Sequence, residues 1–378
     1  MNTRRHVLAL LAAAPALSAC GSNGDLPDPI AGWRDPGAGE TDPRRFALAH
    51  AILAPNPHNT QPWLVDLDDA GGMTLYCDLE RRLPFTDPFD RQITIGCGAF
   101  LELYRIAAAE LGQFAEITPF PEGEPASNLD ARPLAHVRFN PTANAARDPL
   151  FAHITARRTN RNDYDAARTP ADTDLVRITS AIGGFPGAAQ WTIEPNKVAA
   201  LRDLVWRGFD CEMRTEGAQD ETYGWLRFGR AQIAEHRDGL AIEGPMIPLF
   251  KAIGVLDRED FLNPDSTANK QGADEWRAKA ETSPAFMWLT TANDTPSTRL
   301  ATGIAYARLN LAATATGLAM HPWSQTLQEY EEMAELYAEA RTLLETGDQI
   351  AQMLVRVGYA EAVNPAARRD VAAIIRPA

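Results

Sequence analysis

Apolar and polar positions along the chain alternate in some stretches and recur at helical spacing in others, with proline- and glycine-rich breaks between them. An apolar run from Val7 to Leu17 comes first and is too short to cross a bilayer as a helix. Positions 21 to 43 are rich in Gly, Pro and Asp and lack apolar periodicity, which predicts a flexible tether. A short helix is predicted from about Arg44. Leu64 to Asp78 alternates on either side of Asp68-Asp69-Ala70-Gly71-Gly72, a hairpin signal. Phe100, Tyr104, Ala107 and Leu111 share one helical face in the segment from Ala99, and Gly112 stands where a helix ends. Residues 113 to 150 read as mostly connecting, with a strand at His136 to Phe139.

The second half predicts a helix from about Val198 to Met213. Regularity is then lost between 223 and 282, where Trp225, Phe228, Phe250, Phe261 and Trp276 stand among charges and prolines. Such an insertion reads as a lid. A buried strand follows at Phe286 to Thr290. The next helix, about Thr298 to Thr316, carries Leu300, Ile304, Ala307 and Leu311 on one face and stops at Gly317. An acidic amphipathic helix is predicted for Glu329 to Leu344 and a last strand for Gln352 to Gly358. The helices ending at Gly112 and Gly317 echo each other: both are Ala-rich, striped and closed by glycine.

Two stretches carry candidate chemistry. Ala54 to Trp63 reads A-P-N-P-H-N-T-Q-P-W. Its prolines and asparagines forbid regular structure, and His58, Asn59 and Gln61 concentrate donors and acceptors beside an apolar anchor at Trp63. Such a loop suits a planar heteroaromatic ligand with hydrogen-bonding edges; an ordinary turn is the plainer reading. Ala156 to Arg161 reads A-R-R-T-N-R, and Gln352 to Ala360 precedes Arg368 and Arg369. Guanidinium forks grip phosphate through paired hydrogen bonds.

These three stretches, in this order, resemble motifs of the nitroreductase superfamily, and H-N-T-Q-P-W resembles its Acg-like branch. The resemblance spans roughly residues 45 to 372. It implies an α+β, nitroreductase-like fold and bound FMN. Family members are homodimers that hold the flavin between subunits. Here the loop occurs only in the first half and the arginine motif only in the second. That implies two fused, degenerate halves, 44–150 and 151–378, forming an intrachain pseudo-dimer and a monomer in solution. Two unrelated α+β domains remain the alternative. By the same resemblance, Pro55, Asn56, Pro57 and Asn59 would lie along the flavin, and Gln61 would contact it or brace the loop. Pro57 replaces the commoner serine, so one family contact is missing. Arg157 and Arg368 would hold the phosphate, Thr159 the ribityl end, and Arg161 the N1/O2 edge of the ring. Pro322, Trp323 and Ser324 correspond to the segment near N5 and O4. His58 is a candidate proton source, with loop bracing as its alternative.

Charge and the ends narrow the picture further. Net charge is −14, without a basic cluster outside these motifs, so nucleic acid is a poor partner. Arg4-Arg5 before the apolar run resembles a Tat signal, and Leu17-Ser18-Ala19-Cys20 resembles a lipobox with Cys20 as the acylated residue. Residues 1–20 are therefore expected to be an export signal, and the protein a membrane-anchored lipoprotein facing the periplasm or cell exterior. Cys77, Cys97 and Cys211 match no metal or disulfide framework and are expected as free thiols, though one disulfide would be permitted. H-E-x-x-H, C-x-x-C and G-x-S-x-G are missing, and Gly96-Cys97-Gly98 lacks the third glycine of a dinucleotide fingerprint. The implied function is an FMN-dependent oxidoreductase passing a hydride or two electrons to a small nitro or quinone substrate. Its substrate and electron donor are open. The alternatives are an FMN-sequestering lipoprotein with a closed lid and a flavin-free structural lipoprotein.

Overall fold

The computed structural model describes residues 26–69, 71–252, 254 and 256–377. The expected export signal and Cys20 lie outside the described residues. The first half contains α1 (Pro43–Ala51), β1 (Trp63–Leu67), β2 (Met73–Cys77), α2 (Arg91–Glu110), β3 (Gln113–Pro119) and β4 (Ala135–Asn144). Asp42 caps α1 by accepting from the Arg44 amide, and Pro43 occupies the first turn, where no amide is needed. The second half contains α3 (Asp172–Ser180), β5 (Gly187–Thr192) and α4 (Pro195–Arg214). The insertion follows as α5 (Glu216–Gly224), β6 (Leu226–Phe228), α6 (Gly229–His236), β7 (Leu240–Ile242), α7 (Ile247–Ala252), α8 (Arg258–Leu262) and α9 (Thr267–Glu281). Then come β8 (Ala285–Thr291), α10 (Pro296–Ala315), β9 (Ala319–Pro322), α11 (Ala334–Leu343) and β10 (Ile350–Gly358).

The architecture is α+β. One four-stranded sheet runs β1-β2-β4-β3 and the other β5-β8-β10-β9, with every neighbouring pair antiparallel. In each sheet a 20-residue helix follows the second strand, and the last two strands are exchanged in order. The segments that follow β4 and β10 cross between the two sheets. After β4 the chain reaches the second sheet, where the Asn160 amide donates to Met320 O (3.1 Å) and Tyr164 bridges Ala360. After β10 it returns to the first, where the Val65 amide donates to Ile374 O (2.8 Å) and Ile375 lies parallel to Val65.

The main core lies where α2 meets α10, and it joins apolar side chains of both sheets. The two helices touch almost backbone to backbone. A Cβ on Gly98 would run into the Leu300 carbonyl and lie 3.0 Å from Gly303 Cα, and one on Gly303 would lie 2.8 Å from the Ala99 amide nitrogen. The Gly-Cys-Gly run thus sits inside a helix, where it permits a close crossing. A second core lies between α4, α11 and the other face of the second sheet, around Trp288, Trp323 and Leu354.

Several elements depart from the pattern-based expectation. Helix α2 begins eight residues before Ala99, because Gly and Thr positions in its first turns hide a buried face. Strands β3 and β5 carry mixed exposure and no clean alternation, so periodicity does not reveal them. The acidic helix expected from Glu329 is a 3-10 turn at Glu331–Met333 followed by α11. Of the expected tether, the described part from residue 26 is no loose linker. Trp33 is buried in the main core, and its indole Nε1 donates to Ala366 O at 2.8 Å. Cys77, Cys97 and Cys211 are free thiols. Among the described residues, no helix is long and apolar enough to cross a membrane, and no His/Cys/Asp/Glu group is arranged to hold a metal.

Candidate functional site

The A-P-N-P-H-N-T-Q-P-W loop is held in an uncommon backbone conformation. His58, Asn59 and Gln61 all have left-handed φ values, of 46°, 53° and 52°. Non-glycine residues adopt that region at a cost and persist there only when their surroundings enforce it. The enforcing contacts are local and distant. Asn56 Oδ1 accepts from the Gln61 amide at 2.8 Å, and its Nδ2 donates to Ala54 O at 3.1 Å. Asn56 and Pro57 lie against Gly96 of α2, where a Cβ would be 3.0 and 3.2 Å from them. Trp63 anchors the loop at the start of β1, fully buried against Phe100.

Asn59 and Gln61 spend their side chains on protein. Asn59 Nδ2 donates to Gly239 O and Ala367 O, both at 3.1 Å, and its Oδ1 accepts from Arg368 Nη1 at 2.6 Å. Gln61 Nε2 donates to Arg237 O, and its Oε1 accepts from the Arg369 amide, both at 2.8 Å. Residues 237–239 belong to the insertion, so the loop is clasped to it. Arg81 adds to the clasp, donating to Thr60 O (3.0 Å) and pairing with Asp238 (2.7 Å). His58 Nε2 shares a 3.1 Å hydrogen bond with Thr222 Oγ1 of α5. Burial, with the Arg161 charge added, lowers the His58 pKa to about 4, so the ring is neutral at pH 7 and braces the insertion.

The arginine motif lies beside this loop. Arg157 Nη2 donates to Leu53 O at 3.0 Å, and Arg368 Nη2 donates to Leu53 O and Ala54 O at 3.3 and 3.1 Å. Both side chains are buried, at 2% and 4% exposure, and neither has an ion-pair partner among the described residues. Nε and Nη1 of Arg157, Nε of Arg158 and Nε of Arg368 are buried N–H groups with no acceptor among the described residues. Burial pulls the Arg157 pKa down to about 10 and that of Arg368 well below the ordinary value, the latter with added repulsion from Arg157 and Arg158. Unpaired buried guanidiniums of this kind are costly and call for an anion.

Arg161 completes the motif. Its surface is open to water, yet burial is the leading cause of its lowered pKa. Thr159, half-buried, lies between the two arginines.

The segment after α10 places Pro322 opposite Val355 at the end of β9. Trp323 is buried in the second core. Ser324 Oγ donates to Leu354 O at 3.0 Å and accepts from the Leu354 amide at 3.1 Å, so its hydroxyl serves the strand.

No family model matches the chain. Among curated relatives, the Mycobacterium tuberculosis H37Rv protein named "Putative NAD(P)H nitroreductase Rv3131" is 27% identical over 340 residues, covering 88% of this chain and 90% of that protein. "Putative NAD(P)H nitroreductase acg" of the same strain is 33% identical over 138 residues, covering 36% and 39%. The relatives support a place in the nitroreductase superfamily. Among solved structures, a nitroreductase-named protein of Anabaena variabilis aligns over 82% of each chain at 10% identity and a TM-score of 0.39.

Three further residues around Arg157 and Arg161 were not singled out by the sequence. Tyr306 of α10 feels the charges of Arg157 and Arg161; burial first, against those charges, pushes its phenol up to about 12. In the sequence it is one more apolar-face residue of a helix. Arg356 Nε donates to His321 Nδ1 at 3.1 Å, and burial lowers the Arg356 pKa to about 10. His321 is kept neutral by burial and by Arg356 and Arg161. A histidine and an arginine on neighbouring strands meet only because β9 pairs with β10.

Proposed function

We propose that this protein is an FMN-dependent oxidoreductase of nitroreductase type that acts on a small substrate. The observation that carries the reading is the pair of buried, carboxylate-free guanidiniums at Arg157 and Arg368, with orphaned N–H groups beside the strained loop. A phosphate monoester is the anion that such forks suit. Arg157, Arg158 and Arg368 would hold the phosphate, Thr159 the ribityl chain, and Arg161 would stand as the fixed cation toward the ring. Bound FMN supplies a ring that takes up a hydride or two electrons. The chain's part is to orient and to exclude water. Asn59 and Gln61 fix the loop backbone, Pro55 and Pro57 stiffen it, and the clasp at 237–239 covers it. His58, neutral at pH 7, is a brace in this reading and holds no proton for transfer.

The wider proposal is that 44–150 and 151–378 are degenerate copies joined in one chain, with a single flavin between them. The repeated strand order and the exchange of following segments support it. So is export: Arg4-Arg5 and Cys20 would carry the folded holoprotein across a membrane and anchor it there by lipid. Loss of palmitate labelling in Cys20→Ala would test the anchor. The donor would be NAD(P)H, as the names of the curated relatives suggest, or a quinol or partner protein in a compartment without nicotinamide.

One experiment tests the core reading. Natively purified protein should be yellow and release FMN on denaturation, whereas Arg157→Ala and Arg368→Ala should each lose at least ten-fold in FMN affinity. Colourless wild-type protein that also fails to take up added FMN refutes it. The clasp between loop and insertion favours a second reading, in which FMN is held without turnover. Rapid reoxidation of the reduced flavin by a nitroaromatic or quinone supports the enzyme; an inert reduced flavin supports sequestration.

A further inference from the structure

The segment 28–34, ahead of the first half, crosses the arginine cluster as a strap. The Arg368 amide donates to Pro29 O at 2.9 Å, and Trp33 Nε1 donates to Ala366 O at 2.8 Å, so the strap is tied on both sides to the stretch that presents Arg368. Ile30 packs against the main core, and Gly32 lies beside Arg368, where a Cβ would make ordinary contact at 3.9 Å from Arg368 Cβ. The Trp33 ring is the common neighbour of three guanidiniums. Arg158 Cζ lies 4.6 Å from its centroid, Arg368 Cζ 5.1 Å and Arg157 Cζ 5.6 Å.

Each such contact draws on the ring's negative face. Three like charges around one ring still repel, and among the described residues no carboxylate pairs with any of them. The one acid of the strap with a close cation, Asp28, is turned to Arg34 and to the Ile30 amide. The strap therefore brings apolar cover to a cationic site and no counter-charge. Docking it without an anion removes water from unpaired guanidiniums; docking it over an anion removes water from a neutralised cluster, where each N–H to oxygen bond is stronger.

We propose that Trp33 is a positioning residue for the phosphate of the bound nucleotide, and that docking of the 28–34 strap and occupancy of the arginine cluster by a phosphate monoester stabilise each other. The proposal rests on the FMN reading above and adds to it the part played by a segment outside the three motifs. By linkage, whatever the strap adds to phosphate affinity the phosphate returns to strap docking. Riboflavin, which has the same ring and no phosphate, should feel none of this.

The test uses the full holoprotein, stripped of flavin and titrated with FMN and with riboflavin. Trp33→Ala should weaken FMN at least ten-fold and change riboflavin affinity less than two-fold, and Trp33→Phe should recover most of the loss. On wild-type protein, FMN should slow amide exchange in residues 28–34 and riboflavin should not. An equal loss for both ligands in Trp33→Ala, or exchange in the strap indifferent to FMN, overturns the proposal. If Arg157→Ala loses FMN affinity while Trp33→Ala keeps it, the strap idea fails and the FMN reading stands. If wild-type protein binds FMN no more tightly than riboflavin, the phosphate reading fails with it.

Discussion

Glu212 on α4 is buried, and its carboxylate accepts a 2.9 Å hydrogen bond from Gln328 Nε2. Burial, only partly offset by that bond and reinforced by the Glu221 charge, raises its pKa from 4.5 to about 7. Tyr330, whose phenol burial also pushes upward, feels the same carboxylate. Between pH 4.5 and about 7 the folded state holds a proton that the unfolded chain has released, so stability falls as pH rises through that window. At ~1.4 kcal/mol per unit the loss is roughly 3 kcal/mol. Asp87, raised by burial to about 6, acts in the same direction. Glu212→Gln should therefore flatten the decline and be the more stable protein at pH 8. Urea midpoints at pH 5 and pH 8 check it, and equal slopes for variant and wild type refute it. At this scale the sequence identified residue types well and roles unevenly. Arg157 and Arg368, read as anion ligands, are buried with no carboxylate partner among the described residues, and part of each guanidinium is spent on backbone carbonyls. Asn59, read as lying along the flavin, bonds to Gly239 O, Ala367 O and the Arg368 guanidinium, and Gln61, read as a contact or a loop brace, bonds to Arg237 O and the Arg369 amide; no local pattern foretells these partners.

Helices α2 and α10 cross almost backbone to backbone at Gly98 and Gly303. Gly98→Ala must push the Leu300 carbonyl away, and overpacking of this kind costs about 1–3 kcal/mol. Gly272→Ala on α9 is the matched control, since a Cβ there meets nothing within 4 Å. It should be neutral or stabilising by up to ~1 kcal/mol through helix propensity. Thermal melts of the two variants separate the effects; a Gly98→Ala melt equal to that of Gly272→Ala removes the close-crossing argument. Periodicity found the C-terminal ends of both helices, because Gly112 and Gly317 are sharp stop signals with φ of 75° and 74°. It missed the start of α2, where small residues pack against a neighbouring helix instead of forming an apolar stripe. Strands β3 and β5 were hidden for a related reason: each lies at the edge of its sheet, where one partner suffices and exposure is mixed.

For the whole molecule, an intrachain pair of halves predicts a monomer. Light scattering should give one chain per particle, unchanged over a hundredfold dilution with the flavin retained; a dimer that loses flavin as it dissociates would place the site between chains and refute the fused-halves proposal. Two similar helices pointed to the proposed repeat, but the matching strand order needed the pairing of residues far apart in sequence. The N-terminal strap was read as a tether for the same reason: proline- and glycine-rich composition reports missing periodicity, and it is silent about a single tryptophan finding a pocket. What the sequence determined by itself was local. Turn chemistry made the 54–63 loop irregular, glycine ended the long helices, and arginines were gathered in the 156–161 and 368–369 stretches. Only tertiary structure decided which groups stay unpaired, because burial and the absence of a counter-charge belong to the surroundings of Arg157 and Arg368 and not to the residues themselves.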